Sequence, residues 1–209
     1  MKILKVVLAL TLAALMLTSC TVGLDKLEYD RTTNEYINGK TGIKYTDAPS
    51  RYEAVAVGEM YAKWKNSATT IVFHEMEGVD PERWMTEPGK VLFYAEGEKL
   101  PEADEMGINK ILVCVEQEVA IALVSIQNEE HISTIIDTWQ NAEAVTYPAL
   151  SPMRNFKVKM VSPDYPWMYY NIDYVEYSDG SCYLYSRDDG RCVDAGTLIR
   201  DYLDGTVNG

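Results

Sequence analysis

Two nearly continuous apolar runs in the middle of the chain constrain its fold more than any other feature. They are ILVCVE, residues 111–116, and VAIALVSI, residues 119–126. Apolar runs of this length without polar alternation are typical of strands that are buried on both faces. We therefore expect these two segments at the centre of a β-sheet, with helices covering it.

The clearest helix follows at residues 128–140, NEEHISTIIDTWQ. Asn128 can cap its first turn, and Glu129 and Glu130 suit the positive end of the helix dipole. Apolar residues recur at helical spacing and form one stripe that we assign to the core: Ile132, Ile135, Ile136 and Trp139. A second helix is predicted over residues 197–203, with Gly205 ending it.

Most of the remaining chain consists of short β-prone segments separated by turn residues. EYINGKTGIKY, residues 35–45, predicts a hairpin, and Asp80-Pro81 predicts a single helical turn. Further strands are predicted at residues 51–58, 69–76, 90–97, 155–161, 167–177, 182–187 and 191–194. The pattern as a whole predicts the α+β class: a mainly antiparallel β-sheet with two or three helices packed on it, in a single globular domain.

The turns near the C-terminus predict a strand register. The Asp-Gly pair at 179–180 favours a type I′ hairpin, which would place Tyr177 opposite Cys182. The next turn would place Ser186 opposite Cys192. In that register the two cysteines lie four positions apart, roughly 13 Å, which is too far for a disulfide.

Composition excludes one class of partner. The chain carries 19 basic and 32 acidic residues, a net charge of −13. Nucleic-acid binders need basic surfaces, so we expect no nucleic-acid partner. A net negative charge also repels anionic lipid headgroups. This excludes attachment to a membrane through a basic surface.

The N-terminus has the organisation of a secretory leader. Lys2 and Lys5 precede an apolar run at residues 6–16, which is interrupted only by Thr11. A charged start, a short apolar core and small residues at the exit are typical of a signal peptide. The apolar run is shorter than the roughly 20 residues that a membrane-spanning helix needs.

The end of this leader, LTSC at residues 17–20, resembles the lipobox of bacterial lipoproteins. That resemblance implies removal of residues 1–19 and covalent attachment of diacylglycerol and an acyl chain to Cys20, and we expect no cofactor. Two acyl chains suffice for stable anchoring. Thr21 stands where a retention signal would have Asp, which favours the outer membrane in a host that has one. The predicted location is therefore the cell membrane or the outer membrane.

These observations divide the chain into four predicted segments. Residues 1–19 form the lipoprotein signal peptide and residues 20–33 an N-terminal tether. Residues 34–205 form the globular domain, and residues 206–209 form a C-terminal tail. The predicted location is therefore lipid-anchored and outside the cytoplasm.

Signatures of known catalytic chemistry are missing from the sequence. It contains no GxSxG, HExxH, Walker A or GxGxxG motif, and we expect no metal site. His74-Glu75 lacks the second histidine of a zinc helix, and its segment is predicted as a strand. The acidic groups around Asp104 and Asp188 lie in predicted turns, where carboxylates are ordinary.

The best candidate binding surface is one face of the strand at residues 167–177. Side chains alternate along a strand, so one set would point to the core and the other to solvent. The outward set mixes aromatic, amide and carboxylate groups that suit a protein or glycan ligand: Trp167, Tyr169, Asn171, Asp173 and Tyr177. An ordinary solvent-facing sheet surface would look similar.

Three functional hypotheses remain open at this point. The first is a non-enzymatic, membrane-anchored lipoprotein that binds a ligand or partner at the cell envelope. The second is an envelope hydrolase acting on glycan or peptide through unidentified carboxylates. The third is an assembly or inhibitor protein whose sheet edge captures a partner strand.

Overall fold

A computed structural model describes residues 23–116 and 120–207. The predicted signal peptide and the lipidation site at Cys20 lie outside the described residues. None of the described helices is both long and apolar enough to span a lipid bilayer.

The first half of the chain forms a closed seven-stranded barrel. Its strands, numbered in chain order, are β1 (Asp25–Asp30), β2 (Glu35–Asn38), β3 (Lys44–Asp47), β5 (Met60–Lys65), β6 (Thr70–His74), β7 (Trp84–Thr86) and β8 (Leu92–Ala95). Around the barrel they follow the order β1-β2-β3-β8-β7-β6-β5. Neighbours pair antiparallel except β1 and β5, whose parallel pairing closes the ring. Closure leaves no barrel strand with a free edge.

The barrel interior is small and largely aromatic or aliphatic. Phe73 and Phe93 meet edge to face, with ring centroids 5.1 Å apart at 84°, a favourable arrangement for aromatic pairs. The other buried members are Leu27, Tyr45, Ala62, Met85 and Ala95. Because strand residues alternate between faces, these side chains point inward while their sequence neighbours point out.

The second half forms an open sheet. Its strands are β9 (Lys110–Glu116), β10 (Ala120–Ile126), β11 (Arg154–Val161), β12 (Met168–Glu176), β13 (Cys182–Tyr185) and β14 (Cys192–Asp194). They lie in the order β10-β9-β11-β12-β13-β14, and every pairing is antiparallel.

One short strand joins the barrel to the sheet. β4 (Tyr52–Ala54) pairs antiparallel with the start of β12. On its other side, the Ala54 backbone N–H donates to the Lys90 carbonyl at 3.1 Å, and Glu53 bridges to Val91 just before β8. Backbone hydrogen bonding therefore runs from β8 through β4 to β12.

Two α-helices and a short 3-10 helix (Ala103–Glu105) complete the described structure: α1 (Glu129–Asn141) and α2 (Leu198–Leu203). Asn128 caps α1 as predicted, with its Oδ1 accepting the His131 backbone N–H at 3.1 Å. The apolar stripe of α1 packs into the core, where Trp139 Nε1 donates to Tyr170 Oη at 3.0 Å. Both predicted helices are confirmed.

The inner face of the sheet forms the larger core. The alternate residues Met168, Tyr170, Ile172 and Tyr174 of β12 point into it, as the sequence pattern predicted. Trp84 and Leu92, which face outward from the barrel, belong to the same core. The barrel wall therefore packs against the sheet through its own outer surface.

The predicted α+β class is wrong, because the protein is mostly β. Of the described residues, 41 % lie in strands and 12 % in helices, and the sheet is accompanied by a closed barrel. The barrel closes through the parallel pairing of β1 with β5, and 29 residues lie between the end of β1 and the start of β5. Local patterns do not show such a contact. Residues 25–30, which the sequence predicts as part of a tether, form β1.

The two apolar runs are strands, but their predicted position is only partly right. β9 lies inside the sheet, whereas β10 is its edge strand and pairs only with β9 among the described strands. Ile121 and Leu123 of β10 are 56 % and 52 % exposed. An edge strand can be as apolar as a central one, so apolarity alone did not distinguish the two positions.

The predicted C-terminal register is wrong by one position. Glu176, and not Tyr177, lies opposite Cys182. The hairpin loop has three residues, since the Tyr177 backbone N–H donates to the Ser181 carbonyl and Gly180 takes φ 89°. The next turn is also one residue longer than predicted, which places Tyr185 opposite Cys192. Cys182 and Cys192 are buried free thiols.

Candidate functional site

The outer face of the second sheet carries buried charged groups beside the barrel. In β11, Lys157 and Lys159 alternate with core residues and so point outward. The register places Lys157 opposite Asp173 and Lys159 opposite Asn171 of β12. Opposite charges that face each other across neighbouring strands attract, so the register favours ion pairs here.

Asp173 lies between two cations and is only 4 % exposed. Its Oδ1 lies 2.6 Å from Lys157 Nζ, and its Oδ2 accepts from Arg187 Nε at 2.8 Å. The nearby carboxylate holds the pKa of Arg187 above its usual value. Both oxygens of this buried carboxylate are therefore engaged, as a buried charge requires.

Glu53 of β4 is the second anionic centre. Its Oε2 accepts from Lys159 Nζ at 2.6 Å and from Asn171 Nδ2 at 3.0 Å, while Lys90 Nζ lies 3.6 Å from Oε1. Burial by itself would lower the pKa of Lys159, but the hydrogen bond and charge of Glu53 reverse this effect and raise it. Lys159 Nζ also lies 5.5 Å from the centre of the Tyr169 ring, within cation–π range.

Asn171 has one half of its amide unused. The side chain is 5 % exposed, and its Oδ1 is buried without a hydrogen-bond partner among the described residues. The amide orientation follows from its surroundings, because the NH₂ group must face the Glu53 carboxylate. A buried acceptor without a donor is therefore fixed at this position.

Asn171 lines a cleft of about 670 Å³ where the barrel meets the sheet. We call it the junction cleft. The charged and amide side chains that line it are Asp47, Glu53, Lys90, Glu116, Lys157, Asn171, Arg187 and Asp188. Its volume is in the usual range for small-molecule sites.

Asp188 fixes one wall of the junction cleft. It belongs to the turn between β13 and β14, and its Oδ1 and Oδ2 accept the backbone N–H groups of Ser50 and Arg51 at 2.9 and 2.8 Å. Arg51 Nη1 in turn donates to Asp189 Oδ2 at 3.1 Å. The loop before β4 is thereby tied to the sheet, so the cleft wall is held by interactions from both regions.

The structure gathers three of the five predicted binding residues on one face. Tyr169, Asn171 and Asp173 lie together in the charged network. Trp167 precedes β12 and packs its ring against Tyr165, with centroids 5.6 Å apart. Tyr177 follows β12 and is only 4 % exposed. The five residues therefore do not form an open aromatic surface.

Sequence reasoning missed several residues of the junction cleft. Glu53, Lys90 and Arg187 come from distant segments and reach the cleft only through the fold. Lys157 and Lys159 did carry a signal, because two lysines alternating with apolar residues in a strand indicate a charged outer face. The described residues contain no group of three histidine, cysteine or acidic side chains placed to hold a metal ion.

Comparisons with known proteins identify no relative. No family model matches the chain, and no curated protein or solved structure is significantly similar to it.

Proposed function

We propose that this protein is a lipid-anchored binding protein of the bacterial cell envelope and that its junction cleft holds a small polar ligand. The lipobox-like LTSC sequence supports acylation at Cys20. The geometry of the cleft supports binding of a ligand.

The observation that carries the proposal is the unpaired Oδ1 of Asn171. Leaving a buried acceptor without a donor costs about 1–3 kcal/mol. A ligand that donates a hydrogen bond to this atom recovers that free energy on binding. Because this atom exposes less than 1 Å² to solvent, a ligand reaches it only after neighbouring side chains move, and that movement offsets part of the gain.

The same contacts favour binding over hydrolysis. A general acid or base must exchange a proton with its substrate. Asp173 and Glu53 instead direct their oxygens at Lys157, Arg187 and Lys159. This arrangement stabilises fixed charges, and the hydrolase alternative gains no support from it.

The position of β1 constrains where the anchored protein would lie. β1 begins at Asp25, five residues after Cys20. Five extended residues span at most about 17 Å. We therefore expect the barrel to sit close to the membrane surface.

The cleft is tested by screening small polar compounds against the full chain in detergent, with ligand-observed NMR and thermal shift. We expect at least one compound to bind saturably and to bind Asn171→Ala about tenfold more weakly, because the Oδ1 acceptor is lost. Asn155→Ala, an exposed asparagine of β11, is the matched control. Equal binding to both variants, or no binding by any compound, contradicts a ligand site at Asn171.

The anchor is tested by labelling cells with a clickable fatty acid. We expect wild type and Cys114→Ala to incorporate the label and to fractionate with membranes. We expect Cys20→Ser to lose the label and to leave the acylated membrane fraction. Label retained by Cys20→Ser contradicts the proposed anchor.

A further inference from the structure

Cations and carboxylates of the junction cleft both keep hydrogen-bonding positions for a ligand. Asp188 directs both oxygens at backbone N–H groups, and Glu53 Oε2 accepts from Lys159 and Asn171. Asp47 and Glu116 line the same cleft with exposed or half-exposed carboxylates. The cations that line the cleft are engaged through only part of their donors. The spare donors favour an anionic group in the ligand, and the carboxylates of Asp47 and Glu116 favour a donor group in the same ligand.

Arg187 has the largest spare capacity. Its Nε donates to Asp173 Oδ2, and its side chain is 66 % exposed. A guanidinium carries four further N–H donors on its two Nη groups. These donors match the two oxygens of a carboxylate, which arginine binds in bidentate fashion.

Two lysines extend this cationic side of the cleft. Lys157 Nζ contacts Asp173 Oδ1 at 2.6 Å and has two further protons. Lys90 Nζ lies 3.6 Å from Glu53 Oε1, which is an ion-pair distance but too long for a good hydrogen bond. Both ammonium groups line the cleft and can turn donors toward an incoming anion.

Asn171 sets a second requirement on the ligand. Its unpaired Oδ1 exposes less than 1 Å² to solvent, so a hydroxyl or ammonium donor of the ligand reaches it only when neighbouring side chains move. Glu116 lines the same cleft with a half-exposed carboxylate, 3.5 Å from Lys159 Nζ, and offers a further acceptor. A bare inorganic anion would satisfy the cations but not Asn171.

We infer that the junction cleft binds small organic acids that carry a carboxylate together with a hydroxyl or ammonium donor. This inference rests on the proposed function and specifies its ligand class. Two sources share the chemistry: uronic acids, which are acidic sugars, and free amino acids. The carboxylate lies on the Arg187 side, and the donor lies near Asn171 and the half-exposed carboxylate of Glu116.

The inference is tested by isothermal titration of the full chain in detergent with two matched pairs. Glucuronate is paired with glucose, and alanine with alaninamide, so that each pair differs at the carboxylate. We expect at least one acid to bind ten times or more tightly than its neutral partner. The pair that shows this preference distinguishes the sugar source from the amino-acid source.

Arg187→Gln provides the residue-level test. We expect the variant to reduce the preference for the acid over its neutral partner at least tenfold, whereas Arg31→Gln, an exposed arginine beside β1, leaves it unchanged. A neutral partner that binds as tightly as its acid overturns the inference. If none of the four compounds binds, the inference is also overturned, while the proposed function stands provided that another polar compound binds in an Asn171-dependent manner.

Discussion

The barrel and the open sheet solve the problem of burying a β-structure in different ways. The barrel closes on itself and fills its interior with side chains such as Phe73 and Met85. The sheet stays open, covers its inner face with α1 and the barrel wall, and buries Asp173 and Lys159 near its outer face. The open sheet is therefore where the fold can maintain an organised polar site.

This contrast assigns a role to the barrel as well. Its seven strands leave no edge, and β4 connects it to the sheet by backbone hydrogen bonds. Glu53 of β4 thereby becomes a fixed charge above β12. The barrel contributes one wall of the junction cleft through Asp47, Lys90 and Val91.

The largest expected effect comes from removing the carboxylate between two cations. Asp173→Ala removes hydrogen bonds to Lys157 and Arg187, which are 20 % and 66 % exposed and so regain water, and hydrogen bonds to charged groups contribute about 1.5–3 kcal/mol. We expect the free energy of unfolding to fall by that amount in urea titrations. Glu28→Ala, at an exposed position of barrel strand β1, should change it by less than about 0.5 kcal/mol. Similar small effects in both variants would show that the buried charges are not what distinguishes the sheet.

An intermediate effect is expected from alkaline pH. Burial raises the pKa of Tyr45 in the barrel and of Tyr170 and Tyr174 in the sheet. These tyrosines keep their protons in the folded state but ionise near pH 10 when unfolded, so stability is present below pH 10 and is lost above it. Each contributes a loss of up to about 1.4 kcal/mol per pH unit. Urea unfolding from pH 8 to 11 measures this slope.

Single substitutions divide this pH dependence between the two regions. Tyr45→Phe and Tyr174→Phe each remove one buried phenol. Each should therefore reduce the slope of the free energy of unfolding against pH by up to about 1.4 kcal/mol per pH unit. Tyr29→Phe, at a half-buried position of β1, is the control. A slope that none of the variants changes would indicate that buried tyrosines do not limit alkaline stability in either region.

Local patterns predicted individual strands in both halves of the chain, including the hairpin at residues 35–45, but not how the strands of the first half close into a barrel. The cap at Asn128, the stripe on α1 and the inward set on β12 follow from short periodic patterns, and all three are observed. Barrel strands of three to six residues carry too few alternations to reveal their partners. Closure through β1 and β5 depends on packing across the whole barrel.

The candidate site was predictable only where it lies on one strand. Tyr169, Asn171 and Asp173 share a face because strand residues alternate, and this could be derived from the sequence. Glu53 and Arg187 reach the same place from segments more than 100 residues apart. The one-residue error in the C-terminal register has a similar origin, since the Asp-Gly pair at 179–180 fits both a two-residue and a three-residue loop.

The two edges of the sheet complete the contrast with the barrel. At one edge, Val145 N–H donates to the Cys192 carbonyl at 2.8 Å, and Ala144 bridges to Val193, so β14 is partly covered. At the other edge, no described strand pairs with the outer side of β10. A free apolar edge strand can pair with another chain.

The smallest effect on stability and the largest on self-association are therefore expected from the same substitution. Leu123 lies at the irregularity of β10 and is 52 % exposed, so Leu123→Lys should change the free energy of unfolding by less than about 0.5 kcal/mol. A charge on an edge strand opposes strand pairing, so concentration-dependent light scattering should decrease. Leu150→Lys changes a leucine that is 72 % exposed but lies outside every described strand. An equal decrease in both variants would attribute association to general apolar exposure instead of to the open edge that the barrel lacks.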